Sequence, residues 1–183
     1  MKQKIFGIFS FFKAIIRKKF TSPYVYAKCI GVNIGKGCFV PDKDCWSSEP
    51  YLITVGNHCQ ITSGVRLFTH GGGNVVRCQI PDFDIFGKIT IGDWVYIGNN
   101  SLIMPGVTID NNLVASGSVV TKSVPAGVVV AGNPARIICT MEEYLARNIQ
   151  NNVGSKGLTH EEKKYFLLGL DESKFIKKKY MEK

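Results

Sequence analysis

The 183-residue chain has only three histidines and no Cys-x-x-Cys pair. The paired His/Cys spacing of a zinc site is therefore missing, and no metal is expected. The longest uncharged run near the N-terminus, Ile5 to Phe12, is far shorter than the ~20 residues a membrane-spanning helix needs. An export signal is lacking too, because Lys13, Arg17, Lys18 and Lys19 interrupt that apolar stretch and no small-x-small cleavage signal follows. The six cysteines, at 29, 38, 45, 59, 78 and 139, are thus expected to be reduced thiols in a cytoplasmic protein. The net charge of +9 has no counterpart in the middle of the chain, where residues 21–155 carry nine basic and nine acidic residues. The excess lies in residues 1–20, with six basic residues and no acid, and in residues 156–183. A nucleic-acid-binding domain would concentrate it on the folded surface instead, so that class is excluded.

What is present is a repeat. From residue 91 the chain reads I-G-D-W-V-Y, I-G-N-N-S-L, I-M-P-G-V-T, then I-D-N-N-L, V-A-S-G-S-V and V-T-K-S-V-P. Isoleucine recurs at 91, 97, 103 and 109, and Val114 and Val120 continue after one five-residue step. Val55, Ile61 and Leu67 form an earlier block, and Ile34 and Val40 begin a third. A period of six fits neither a helix nor a flat strand. It predicts short strands joined by turns, three hexads closing one coil of a triangular prism with the aliphatic residue inside. The position four residues on, at Cys59, Val65, Val95, Ser101, Val107, Leu113 and Ser118, is also expected to face inward. Glycines 35, 56, 92 and 98 follow the inward residue, where a corner favours little steric restriction. The fold class predicted is an all-β solenoid whose ends need caps.

These hexads, with V-V-T-K-S-V-P-A-G-V-V-V-A-G-N-P-A-R-I-I at 119–138, resemble the hexapeptide-repeat acetyltransferases, in particular the maltose/galactoside O-acetyltransferase-like branch. The resemblance spans residues 32–138. It implies a left-handed parallel β-helix, a homotrimer with active sites between neighbouring subunits, and acetyl-CoA as acyl donor. Carried over by position, it places the coenzyme on Gly98, Asn99, Ser116, Thr121, Lys122 and Arg136, with backbone N–H groups at the Gly98–Asn99 corner as oxyanion donors. A second arginine found in some relatives is replaced here by Cys139.

Among the histidines, His58 lies within a hexad and His160 at a helix start. His70 ends a regular coil and opens an 18-residue interruption before the repeat resumes at Ile89. Long loops on rigid scaffolds carry function. A sugar hydroxyl needs a base of pKa near 7 to attack a thioester, and the resemblance puts that base at His70. Transfer is expected to be direct, since no cysteine has a nucleophile's context. Asp44 stands nearest the place of an acceptor-contacting Asn in the galactoside branch, followed by Ser47 and Glu49; Asp82 and Asp84 in the loop are candidate hydroxyl binders. The partner that orients His70 stays open at this point.

Three segments follow: a basic amphipathic segment at 1–22, the β-helix at 23–138 with a protruding loop at 70–88, and a helical tail at 139–183. In the tail, residues 141–151 and 159–180 are expected as helices, the second with a capping box at Thr159-x-x-Glu162. Residues 1–20 place Ile and Phe along one helical face, suited either to capping the prism or to peripheral contact with an anionic membrane surface. The functional expectation is O-acetylation of a sugar or glycan precursor. Its alternatives are N-acetylation of an amino sugar and a catalytically silent trimeric scaffold.

Overall fold

The computed structural model describes residues 18–181. Its contacts divide it into two compact units that part between Met141 and Glu142. In the first unit the repeat becomes three parallel sheets visited in fixed order. One sheet holds β1 (Asn33–Ile34), β2 (Ile53–Val55), β5 (Ile89–Ile91) and β8 (Thr108–Ile109). The second holds β3 (Gln60–Ile61), β6 (Tyr96–Ile97), β9 (Leu113–Val114), β11 (Val128–Gly132) and β12 (Ala135–Thr140). The third holds β4 (Arg66–Leu67), β7 (Leu102–Ile103) and β10 (Val119–Val120). From β2 to β10 the chain runs first, second, third face and round again. Among the strands of the described residues, β11 and β12 alone pair antiparallel, as a terminal hairpin.

The periodic residues form the core: Ile53, Ile61, Leu67, Ile89, Ile91, Ile97, Ile103 and Ile109 are each at most 1% exposed. Burial of each such side chain contributes about 1.5–3 kcal/mol. Of the second set expected inside, Cys59, Val65, Val95, Ser101, Val107 and Ser118 are buried, but Leu113 is only half-buried. The five-residue step puts Asn112 in its place at 2% exposure. Its amide nitrogen donates to the Pro125 and Val128 carbonyls (2.7 and 3.1 Å), and its oxygen accepts from the Asp110 N–H at 3.0 Å. A buried amide is tolerated because it is hydrogen-bonded on both sides.

The corner glycines are required for a reason other than the expected conformational one. Gly35, Gly56, Gly92 and Gly98 all have ordinary backbone angles, but a Cβ at Gly98 would lie 2.5 Å from the Ser116 nitrogen, and one at Gly92 would lie 2.0 Å from the Asp110 carboxylate. Close stacking of coils excludes a side chain there. The left-handed positions fall elsewhere, among them Gly37, His58, Trp94 and Asn111, with φ from 50° to 68°.

The coil does not begin at residue 23. Ser22 caps a helix, α1 (Pro23–Ile30), with Pro23 in its first turn; Gly31 at φ 104° ends it. At the other end β12 runs to Thr140, past the boundary expected at 138. Residues 141–151 form α2 (Met141–Asn148) and a 3-10 turn, Ile149–Asn151. In the second unit α3 (His160–Leu168) has the expected capping box, but it stops well short of residue 180. Gly169 ends the helix, and Asp171 accepts from the Ser173 N–H at 2.8 Å, starting a separate 3-10 turn instead. Of the amphipathic segment expected at 1–20, residues 1–17 lie outside those described. No helix among the described residues is long and apolar enough to cross a membrane.

Candidate active site

His70 stands where the third face turns into the first, at the mouth of the long loop. The loop returns at Phe86, which pairs with His70 as an antiparallel bridge, and the Gly87 N–H donates to the Thr69 carbonyl at 2.8 Å. Both ends of the excursion are thus pinned to the coil, which holds His70 in place. The Phe86 ring meets the imidazole edge-on, with centroids 6.0 Å apart.

The orienting partner is Glu49. Its Oε2 lies 2.7 Å from His70 Nδ1 and accepts from the Thr69 hydroxyl, also at 2.7 Å. Thr69 is fully buried, so its hydroxyl is a fixed donor. Hydrogen bonds from Thr69 and then His70 pull the Glu49 carboxyl down to about 2, and it is ionised throughout the working pH range. An ionised carboxylate accepts only, so Nδ1 carries the proton and Nε2 of the neutral ring keeps its lone pair. The contact fixes the tautomer of the neutral ring and leaves Nε2 free to accept a proton.

Sequence spacing hid this pair. A coil of three hexads advances 18 residues, as between Thr90 and Thr108. Residues 33–55 take a longer path through the Pro50–Leu52 turn, so Asn33 stacks on Thr54, 21 positions on. Glu49 reaches His70 across the same 21 positions. A strict 18-residue count would point to Leu52.

The other candidates separate. His58 stacks on Trp94, centroids 4.4 Å apart, on the corner between first and second faces. His160 starts α3. Asp44 is ion-paired with Lys18, four residues of chain before Ser48 and away from the imidazole. In the loop, Asp84 lies 3.8 Å from Arg77, and Asp82 is exposed. Beside His70 an apolar hollow of about 470 Å³ is bounded by Phe86, Ile85 and the Pro105–Gly106 turn. A second cavity, of about 460 Å³, is lined by Thr121, Lys122, Ser123 and Arg136 and by no acidic residue. Lys122 follows β10 and so occupies the same corner as His70, two coils farther on.

These features coincide with strong sequence likeness to known proteins. The chain is 46% identical over 155 residues to Protein CapG of Staphylococcus aureus, covering 82% of this chain and 88% of that protein. Against the galactoside O-acetyltransferase of Escherichia coli (strain K12) it is 34% identical over 119 residues, 63% of this chain and 57% of that enzyme. A hexapeptide-repeat containing acetyltransferase from Vibrio cholerae, solved with acetyl coenzyme A, shares the fold at 24% identity and a TM-score of 0.54, over 69% of this chain and 82% of that one. The chain belongs to the hexapeptide-repeat acetyltransferases. No family model matches it. A galactoside acetyltransferase in complex with coenzyme A also shares the fold, at 22% identity and a TM-score of 0.50 over 73% of this chain and 84% of that one.

For a hexapeptide-repeat acetyltransferase, one expected oxyanion donor is removed by the structure. The Gly98 N–H already donates to the Val114 carbonyl at 2.8 Å, as part of the coil stacking. Asn99 is exposed while its carbonyl accepts from the Gly117 N–H at 2.8 Å, and Ser116 is exposed beside it. Both lie on the corner between second and third faces, a full face away from His70. Thr121 and Arg136 are exposed at the cavity that holds Lys122. Two of the cysteines are poor nucleophiles: burial pushes the thiol of Cys59 up to about 11 and that of Cys45 up to about 12.

Proposed function

We propose that this protein transfers an acetyl group from acetyl-CoA directly to a hydroxyl of a sugar or glycan precursor, with His70 as general base. The observation that carries the reading is the Glu49–His70 pair, with Nδ1 committed to the carboxylate and Nε2 left to receive a proton. In the reaction Nε2 takes the hydroxyl proton as the sugar oxygen attacks the thioester carbonyl, and the ring later returns it to the departing thiolate. Glu49 faces the positive charge that builds on the ring in between.

The donor is held along the later coils. Lys122 and Arg136 meet its phosphates as charge partners, and the absence of acid from their cavity suits an anion. Thr121, Ser116 and Asn99 line its path, and the hollow under Phe86 takes the acyl end. His70 and Lys122 share one corner, whereas Asn99 and Ser116 share another, so a second copy must bring its corner alongside to close the site. This favours a homotrimer of left-handed β-helices with sites between copies. The acceptor as a saccharide is supported by the likeness to the galactoside O-acetyltransferase.

The test is thiol release from acetyl-CoA with a panel of sugars and amino sugars, on wild type and His70→Ala. Release with hydroxyl acceptors that vanishes in the variant is expected. Release confined to amines would make the protein an N-acetyltransferase, and undiminished release in the variant would remove His70 from the chemistry.

A further inference from the structure

The largest cleft among those described, of about 550 Å³, plays no part in the reading above. It opens at the start of β4 and is bounded by Pro41, Lys43, Asp44 and Arg66 on the coil and by Lys18 and Pro23 ahead of it. Three cations and two carboxylates line it, but the acids are engaged. Asp42 is drawn into the wall, accepting from the Gly64 N–H at 2.6 Å and from the Ser63 hydroxyl at 3.0 Å. Asp44 is taken by Lys18, whose pKa is raised by that hydrogen bond. Lys43 and Arg66 reach only main-chain carbonyls, those of Lys18 and Asp44. Neither has a carboxylate partner among the described residues, and the cleft lining carries a net positive charge. Arg66 commits one of its two terminal nitrogens to the Asp44 carbonyl and has further N–H donors left for a ligand.

The cleft and the catalytic corner lie on one strand. Arg66 is exposed, Leu67 is 1% exposed, Phe68 37%, Thr69 0%, and His70 is exposed again. This alternation puts Arg66, Phe68 and His70 in a row on the outer side of the third face, with about 13 Å of extended chain from first to last. The coil below runs in step, the Leu67 N–H donating to the Cys45 carbonyl at 2.9 Å and the Thr69 N–H to the Ser47 hydroxyl at 3.3 Å. It sets the Ser48 hydroxyl 3.5 Å from His70 Nδ1. From end to end the surface reads cationic, aromatic, then base.

Resting on the acetyl-transfer reading, we infer that the acceptor is a sugar bearing a phosphate or diphosphate, bound with the phosphate in the Lys43/Arg66 cleft and the ring over Phe68. The Arg66 guanidinium and Lys43 ammonium neutralise the anion, the aromatic side chain covers the apolar face of the ring, and a hydroxyl is delivered to His70 Nε2. A nucleotide-linked and a lipid-linked sugar both supply this chemistry.

Two measurements test the inference. In calorimetry with CoA saturating, so that Lys122 and Arg136 are occupied, inorganic pyrophosphate should bind wild type. It should bind the Lys43→Gln/Arg66→Gln variant at least about tenfold more weakly. Arg66→Lys, which keeps the charge, should retain most of the binding; a loss equal to that of Arg66→Gln would assign the effect to packing and overturn the inference. So would pyrophosphate affinity that ignores the double variant. In kinetics with one sugar offered free and as its anomeric phosphate, the ratio of kcat/KM should favour the phosphate by about tenfold or more and collapse in the double variant. An unchanged ratio contradicts the inference. Nucleotide-diphosphate and short-chain prenyl-diphosphate forms of that sugar then separate the two carriers. Pyrophosphate binding needs no turnover, so it stands or falls independently of acetyl transfer: His70→Ala should leave it intact.

Discussion

The coils from Ile89 to Val120 and the coil from Asp42 to His70 are built from the same hexads and put them to different uses. In the later coils the pairing advances by 18 or 17 residues, as from Thr90 to Thr108 and from Leu102 to Val119. Their buried side chains are aliphatic or satisfied by main chain, and many of their backbone N–H groups, that of Gly98 included, are engaged in stacking. What such coils offer a ligand is exposed side chains on a rigid frame. The earlier coil breaks the period twice, at the Pro50–Leu52 turn and at the loop after His70. The Pro50–Leu52 insertion sets Glu49 2.7 Å from His70, and the same coil lines a cleft with Lys43 and Arg66. Regularity buries aliphatic side chains, and departures from it gather polar ones.

That contrast can be broken from either side. The largest expected effect is His70→Ala, which should lower kcat by about 10²–10⁴ and leave the KM for acetyl-CoA and the unfolding midpoint near wild type. A comparable loss of stability would make His70 part of the frame. In the regular coils the reverse is expected: Ile97→Ala removes a side chain with no exposure and should cost about 2–5 kcal/mol in denaturant unfolding, at unchanged kcat per folded molecule.

Between these lies Glu49→Gln, which keeps the shape but loses the charge that sets the tautomer. Turnover should fall about tenfold or more, though less than for His70→Ala. It should also alter acid stability. The Glu49 carboxyl is depressed in the folded state to about 2 from an ordinary value of 4.5, so its contribution is complete above about pH 4.5 and disappears as pH falls toward 2. The variant should show a shallower fall of unfolding free energy across that window; an identical slope would mean that the carboxylate is not held as described. The smallest effect is expected at the five-residue step. Asn112→Ala leaves the Pro125 and Val128 carbonyls without their donor and should cost about 1–3 kcal/mol, again read by denaturant unfolding.

These two regions also differ in how far they could be read in the sequence. The Ile91–Ile97–Ile103–Ile109 column was legible because inward burial follows directly from period six, and the three-face order followed from it. Asn112 was not, since a count of four from Ile109 lands on Leu113 and only the stacking of coils shows which side chain the short step turns inward. The end of α3 at Leu168 was marked by Gly169, but the apolar and basic residues beyond it continue a helical pattern that Asp171 overrides. His70 stood out because a loop leaves the coil there. Its partner did not, because an insertion within a coil shifts register by an amount that spacing alone does not reveal. Gly98 could be placed on its corner, whereas the engagement of its N–H by Val114 depends on the neighbouring coil.

Nitrogen NMR of ring-labelled His70 tests, without knowledge of the acceptor, whether Glu49 sets the ring up as a base. In the neutral ring Nδ1 should be protonated and Nε2 unprotonated in wild type, with the two forms mixing in Glu49→Gln. A neutral ring protonated at Nε2 in the wild-type protein, or a tautomer indifferent to Glu49, would contradict it.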